Sequence, residues 1–400
     1  MSKMLCDVAE IIDSLHKTPK YKEKGFPMVR VVDVNNGFLE LEKCFTVDEN
    51  TCDEHNKNHI PQVGDVIITR VGSYGMLAYV NTNDKFCLGQ NIAIISPKMN
   101  EKFLYYYLKS PFIQNIIYGN SGGSSYKCIS LEEIKRLPYC DSKLHTEKIG
   151  DLLYSIDSKI ENNNRINAEL ELMAKTIYDY CFLQFDFPDE YGNPYKSSGG
   201  KMVWTDELKM EIPEGWKVKS LSDVGDLLMG QSPKSESYND NGDGYPLING
   251  AAELQDGKIY ISKYTNMPTR ICKKDDLIFC IRATIGNLQF AELEYCLGRG
   301  VAAFTPKCKE YSEYLYNVIN NILDVYKKTL SGSIIVGITK DDLSDKLILW
   351  PPDEIIERFS NIVKSMMIKI RSNKKENKEL ESLRDYLLPL LMNGQVGFKE

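Results

Sequence analysis

Apolar residues fall in two rhythms along the 400-residue chain. The runs VIIT at 66–69 and LIFC at 277–280 are continuously apolar and lead into Gly- or Ala-containing turns, as buried strands do. IAIIS and VAAFT read as further strands that end at Pro97 and Pro306, while LYYYLKS at 104–110 and LYNVINN at 315–321 read as helices. Each half of the chain is therefore expected to be a mixed α/β domain. A slower rhythm follows each one. Between 146 and 181, Ile149, Leu153, Ile156, Ile160, Leu170 and Ile177 form one heptad stripe, and between 353 and 391 Phe359, Val363, Met366, Ile370, Leu380 and Leu387 form another. Both predict long helices. Asn163 and Asn167 in the first match Asn373 and Asn377 in the second at an offset of 210, at places where the stripe calls for apolar residues. Polar residues in such a seam fix register at a cost in stability, or mark a wet break between shorter helices. A helix of roughly 35 residues is about 50 Å long. Two of them paired antiparallel would make a rod that holds the α/β domains apart.

The two rhythms repeat because the words themselves repeat. CLGQNIAIISPK at 87–98 returns as CLGRGVAAFTPK at 296–307. Around it, LCDVAEII at 5–12 pairs with LSDVGDLL at 221–228, GFPMVRV at 25–31 with GYPLING at 244–250, GDVIITRVGSYG at 64–75 with DDLIFCIRATIG at 275–286, and KCISLEEIKR at 127–136 with VGITKDDLSD at 336–345. The offset drifts between 219 and 209, as loops of variable length allow. The predicted plan is an α/β domain over 1–142, a long helix over 143–182, a polar, turn-rich connector over 183–212, a second α/β domain over 213–352, a second long helix over 353–392 and a tail over 393–400. The fold class is thus two tandem, duplicated mixed α/β domains separated by two long helices in an antiparallel coiled coil. A duplication with an approximate internal twofold axis would offer two similar docking surfaces and two similar reading surfaces, and double-stranded DNA has a backbone of matching symmetry.

Composition narrows the function. A hydrophobic share of 42% with 26% charged residues suits a folded protein and argues against global disorder. No apolar run approaches the roughly 20 residues that span a bilayer, and MSKMLCDVAEIIDSLHK lacks a secretory core, so no membrane is expected and the cytoplasm is the expected compartment. Eleven cysteines, an odd number, fit a reducing compartment. Cys44, Cys52, His55 and His59 have zinc-compatible spacing, but the segment reads more simply as a polar loop without a counterpart in the second half, and no metal is expected. A net charge of −7 argues against a surface coated in basic residues and allows a local basic groove.

Several stretches together resemble a known family. DVAEIIDSLHKTPKY, GDVIITRVGSYG, NNRINAELE, FPDEYGNPYKSSGGKM, IPEGWKVKSLSDVGDLLMGQSPKS and IRATIGN, in that order across nearly the whole chain, resemble the specificity subunit of type I restriction-modification systems. The resemblance implies that the α/β domains are target-recognition domains, each reading one half of a bipartite site in double-stranded DNA. The helices would act as a ruler for the unread spacer and as docks for two methyltransferase subunits that modify adenine, with motor-nuclease restriction subunits joining them. One departure stands out: the first half begins near Leu5 without the PEGW that precedes the second, so a shorter or differently packed edge is expected there.

No chemistry is expected of this chain itself. It has no Gly-x4-Gly-Lys-Ser/Thr loop for ATP, LILWPPDE lacks the Asn/Asp-Pro-Pro-aromatic pattern of an amino-methyltransferase, and no glycine loop for AdoMet follows a strand. AdoMet, ATP and Mg are expected on partner subunits, with no cofactor on this chain. Candidate DNA contacts are polar or basic residues of presumed turns: Lys17, Thr18, Lys20, Tyr21, Arg70, Ser73, Tyr74 and Ser124 in the first half, and Gln231, Ser232, Lys234, Arg282, Thr284 and Arg299 in the second. Arg reads guanine bidentately, Gln reads adenine, and Lys or Ser more often holds phosphate. The glycines of SGGSS at 121–125 and SGS at 331–333 would admit close backbone approach to phosphate, or simply make flexible turns. Two competing classes are a noncatalytic protein-binding scaffold and a fused restriction enzyme, the latter needing a catalytic module that the sequence does not display.

Overall fold

The computed structural model describes residues 3–119, 128–140, 145–255, 257–282, 284–330 and 337–398. The chain forms two compact units, Met1–Arg165 with Ser372–Glu400, and Ile166–Arg371. Each unit contains one α/β domain and a stretch of both long helices, Thr146–Tyr178 and Asp353–Met392. Ser124, with the SGGSS and SGS segments, lies outside the described residues.

In the first unit a five-stranded sheet runs in the order Ala9–Asp13, Ile92–Pro97, Val66–Thr69, Leu77–Tyr79 and Gly37–Phe38. Beside it lies a three-stranded sheet of Phe45–Val47, Phe26–Val29 and Cys87–Leu88. The VIIT run is continuously apolar because its strand is covered on both faces. Val66 and Ile68 point into a core with Phe103, Leu104 and Leu108 of the helix Glu101–Lys109, whereas Ile67 points the other way, to Val29, Val80 and Phe86. The second unit repeats this division. Leu277 and Phe279 face Tyr314, Leu315 and Ile319 of the helix Ser312–Leu330, while Ile278 and Cys280 face Ile248 and Leu297. Its four-stranded sheet follows the same order: Gly225–Met229, Val301–Pro306, Leu277–Cys280, Gly286–Phe290.

The repeated phrase is the passage of the chain from one sheet to the other. Cys87 and Leu88 pair in parallel with Met28 and Val29, and Cys296 and Leu297 pair in parallel with Leu247 and Ile248. The turn that follows is fastened by the same backbone bonds in each copy. Gly89 N–H donates to the Val29 carbonyl and Gly298 N–H to that of Ile248, both at 2.8 Å; Arg70 N–H donates to Asn91 at 2.8 Å and Ile281 N–H to Gly300 at 2.9 Å. Asn91 takes a positive φ of 65°, which suits the residue type whose counterpart is a glycine. A side chain at position 298 would bring its Cβ within 2.3 Å of Asn249 Oδ1, so glycine is required there.

Lys217–Ser220 pairs antiparallel with Leu347–Trp350, and the equivalent Lys3–Met4 pairs antiparallel with Pro138–Tyr139. Trp216 is buried against Phe182, Phe185 and Phe187.

Within the first unit the two helix stretches run antiparallel, since Asp157 meets Arg384 while Lys159 meets Glu376. Ile149 and Leu153 of the first stripe share a core with Leu388 and Leu391, which lie off the second stripe, while Leu387 of that stripe packs half-buried against it. No described helix is long and apolar enough to cross a membrane.

Candidate nucleic-acid interface

The sheet's first strand ends in a loop that lies over the turn of the repeated phrase, and this happens in both units. In the first, Ser14 N–H bonds to Ile92 and the chain runs out through exposed Lys17, Thr18, Lys20 and Tyr21 before Lys22 N–H rejoins Thr46 at 2.8 Å. Lys17 Nζ donates to Glu54 at 2.7 Å, and the Tyr21 ring meets Phe45 edge-on at 5.0 Å. The Thr18 hydroxyl accepts from Gln90 Nε2 at 3.3 Å. In the second unit Gly230 N–H bonds to Val301, Gln231 N–H bonds to Leu297 at 2.8 Å, and the Thr269 hydroxyl donates to the Gln231 carbonyl. Ser232 Oγ accepts from Arg299 N–H at 3.3 Å, and Lys234 is exposed beside Glu236.

The structure thus joins two sets of residues in each copy, Thr18 with Gln90 and Ser232 with Arg299. Gln90 and Arg299 occupy the same position of the repeated phrase, 209 residues apart. Arg299 was legible as a candidate and Gln90 was missed, although the repeat itself carried the signal. Both are long polar side chains on a short turn, one an amide suited to adenine and the other a guanidinium suited to guanine.

The second group of candidates divides. Ser73, Arg282 and Thr284 are exposed. Tyr74 is not a surface residue: it is 6% exposed, its ring packs edge-on against Tyr118 at 5.4 Å, and its counterpart is the equally buried Ile285. Burial of its apolar ring in the core overturns the expectation of a reading role. Arg70 is also turned inward, its guanidinium paired with the Asp13 carboxylate and its Nε donating to the Ile129 carbonyl at 3.4 Å. The matching position in the second unit is the core residue Ile281.

The residues with zinc-like spacing each have other partners. Cys52 packs with Met28, Val47 and Cys87, His55 Nδ1 donates to the Leu88 carbonyl at 2.8 Å, His59 Nε2 bonds Asp65 at 2.6 Å, and Cys44 Sγ donates to the Glu40 carbonyl at 3.4 Å. Among the described residues no three His, Cys, Asp or Glu side chains form a group that could hold a metal ion. Burial pushes the Cys272 and Cys280 thiols up to about 12, which keeps them protonated and unreactive.

In the helix seam Asn163 is fully buried. Its Nδ2 donates to Asn377 Oδ1 at 2.9 Å and to Glu376 at 2.8 Å, while Asn377 Nδ2 donates to Asn164 at 2.8 Å. Asn167 and Asn373 are buried too. Amides that bond across a seam accept only registers that keep donor opposite acceptor.

Two copies of one domain, each with its own version of the same loop and turn, are matched by one family. Residues 1–172 and 213–382 both fit the type I restriction modification DNA specificity domain. The chain belongs to this family. It is 27% identical over 410 aligned residues to the putative type I restriction enzyme MjaX specificity subunit of Methanocaldococcus jannaschii, covering 99% of this chain and 93% of that protein. It is 25% identical to the type I restriction enzyme MjaIX specificity subunit of the same organism, covering 100% and 94%. In fold it is similar to the S subunit of a type I restriction-modification system from M. genitalium, with a TM-score of 0.61 and 16% identity over 98% of this chain and 95% of that one. Two DNA specificity domains in one chain make this a DNA specificity subunit of the type I restriction-modification class.

Proposed function

We propose that the chain reads a bipartite site in double-stranded DNA, one recognition domain to each half-site, and that it docks two adenine methyltransferase subunits and the motor-nuclease subunits of a restriction complex. AdoMet, ATP and Mg belong to those partners, the chain contributes no reacting group of its own, and the assembly works in the cytoplasm. The observation that carries this reading is the pairing of an invariant framework with a variable turn: the same backbone bonds present Gln90 beside Thr18 in one copy and Arg299 beside Ser232 in the other. A shared framework with different side chains suits two half-sites of different sequence. Exposed Lys17, Lys20 and Lys234 are candidates for backbone phosphate, and exposed Ser73, Arg282 and Thr284 are candidates for further DNA contacts within their own domains.

Docking of two like partners is supported by the helices. Met173 and Leu383, equivalent at the offset of 210, are 51% and 46% exposed, so each helix offers an apolar side chain to solvent at the same place. The test is single-molecule methylation mapping of DNA from cells carrying this gene with its cognate methyltransferase gene, against cells lacking only this gene. Adenine methylation at a split motif that disappears with the deletion is the expected result. Unchanged methylation, with the complex assembled, would contradict the reading and favour a protein-binding scaffold.

A further inference from the structure

Where the first recognition domain meets the helices, three separate segments converge on one carboxylate. Asp157, on the first long helix, is largely buried. Its Oδ2 accepts from the Tyr106 hydroxyl at 2.8 Å, and its Oδ1 accepts from Arg384 Nη1 of the second long helix at 2.7 Å. Lys109 Nζ stands 3.9 Å from Oδ2, and Arg384 is held from its other side by Asp385 at 2.8 Å. Tyr106 and Lys109 belong to the helix Glu101–Lys109, whose apolar face forms the domain core. Burial pulls the Lys109 ammonium below its ordinary range while Asp157 opposes that shift, so the lysine depends on the same anion.

The second copy carries no charge at the positions equivalent to this network. At the equivalent positions Tyr106 becomes Asn317, Lys109 becomes Asn320, Asp157 becomes Met367 and Arg384 becomes Ala174. Ala174 joins the core cluster of the second unit with Met367 packed against it, and Asn317 Nδ2 donates to the carbonyl one turn earlier in its own helix, Glu313, at 2.9 Å. Apolar contact is non-directional, whereas a carboxylate with both oxygens engaged tolerates one orientation of its donors. The duplicated fold therefore does not need the network to be stable. Its presence in one copy alone requires another reason.

We propose that Asp157, with Tyr106 and Arg384, is a positioning lock that fixes the orientation of the first recognition domain on the helix pair and thereby sets the spacing at which its half-site is accepted. This rests on the bipartite reading. Asp157 and Tyr106 are buried, so the expected effect is on selectivity for spacing and not on the bases read.

The test uses the complex with its methyltransferase and compares methylation of DNA carrying the cognate split site with DNA whose spacer is one base pair longer or shorter. Two variants are needed. Asp157→Asn keeps the shape and removes the charge, and the triple variant Asp157→Met with Arg384→Ala and Lys109→Asn installs the residues that the second copy already carries, leaving no buried charge of the network unpaired. Both are expected to methylate the cognate site, with the preference for cognate spacing reduced on the order of tenfold, as small misplacements at a distance produce. Met367→Leu in the second copy is expected to leave that preference unchanged. A preference equal to the parent's in both assembled variants would overturn the lock alone, as would a uniform loss at every spacing that follows the amount of folded complex. A parent complex that methylates no split site would overturn the bipartite reading, and the lock's role with it.

Discussion

At its junction with the helices the first domain closes on a carboxylate, and the second closes on rings. Phe182 lies 4.8 Å from Tyr314 and 5.0 Å from Phe359, with Tyr178 5.2 Å away and Trp216 6.0 Å away. The sheets above these junctions share strand order and turn bonds, so the junction has diverged while the framework has not. Aromatic burial is tolerant of small rotations and supplies large apolar area. A buried ion network supplies orientation and little net stability unless one partner is removed. The two copies of one fold have separated these two properties.

The comparison breaks most visibly in the aromatic junction. Phe182→Ala is expected to cost about 3–5 kcal/mol, because it removes a fully buried ring from the centre of a cluster. Trp204, Trp216 and Trp350 are the chain's three tryptophans and all lie in the second unit, so urea unfolding followed by tryptophan fluorescence reports that unit. Its midpoint should fall sharply. Asp157→Ala strands Arg384 without its main partner and is expected to cost about 3 kcal/mol in the first unit, seen in far-UV circular dichroism. An equal shift of the tryptophan transition would show that the two junctions do not act separately.

Smaller effects test whether the framework is as symmetric as the bonds suggest. Ser130 and Thr339 cap equivalent short helices, each hydroxyl accepting an N–H while an acidic side chain, Glu133 or Asp342, returns the bond. Ser130→Ala and Thr339→Ala should each cost about 1 kcal/mol in thermal melts of the respective unit. A cost in one copy only would break the symmetry. The smallest effect is on pH dependence. Hydrogen bonds from Ser130 hold the Glu133 carboxyl below its ordinary range, and those from Thr339 do the same for Asp342. A depressed folded pKa contributes stability that is complete above the unfolded value, about 4, and is lost as pH falls through the folded one. Melts at pH 6 and pH 3 should show that loss, and it should shrink in both Ala variants.

Much of the framework was legible because both-face burial writes itself as unbroken apolar runs, as in Val66–Thr69 and Leu277–Cys280, and because the heptad stripes of the helices are long. The candidate DNA-contact turns were half legible. Arg299 announced itself as a charged residue between glycines, while Gln90, in the same place, looked like an ordinary polar residue. Tyr74 was misread because a tyrosine between glycines resembles an exposed turn, and only the register with Ile285 shows that it faces inward. The Asp157 network had no sequence signature at all. Tyr106, Asp157 and Arg384 come from three distant segments, and nothing local distinguishes a buried ion partner from a solvated one until the helices are paired.

The claim that each domain reads its own half-site is tested most directly by single-molecule methylation mapping of complexes carrying Gln90→Ala or Arg299→Ala. Each substitution is expected to relax one half of the split motif, by about 1–3 kcal/mol of base discrimination, and to leave the other half and the spacing intact. The two variants should relax opposite halves. Relaxation of the same half by both, or an unaltered motif in both assembled complexes, would contradict it.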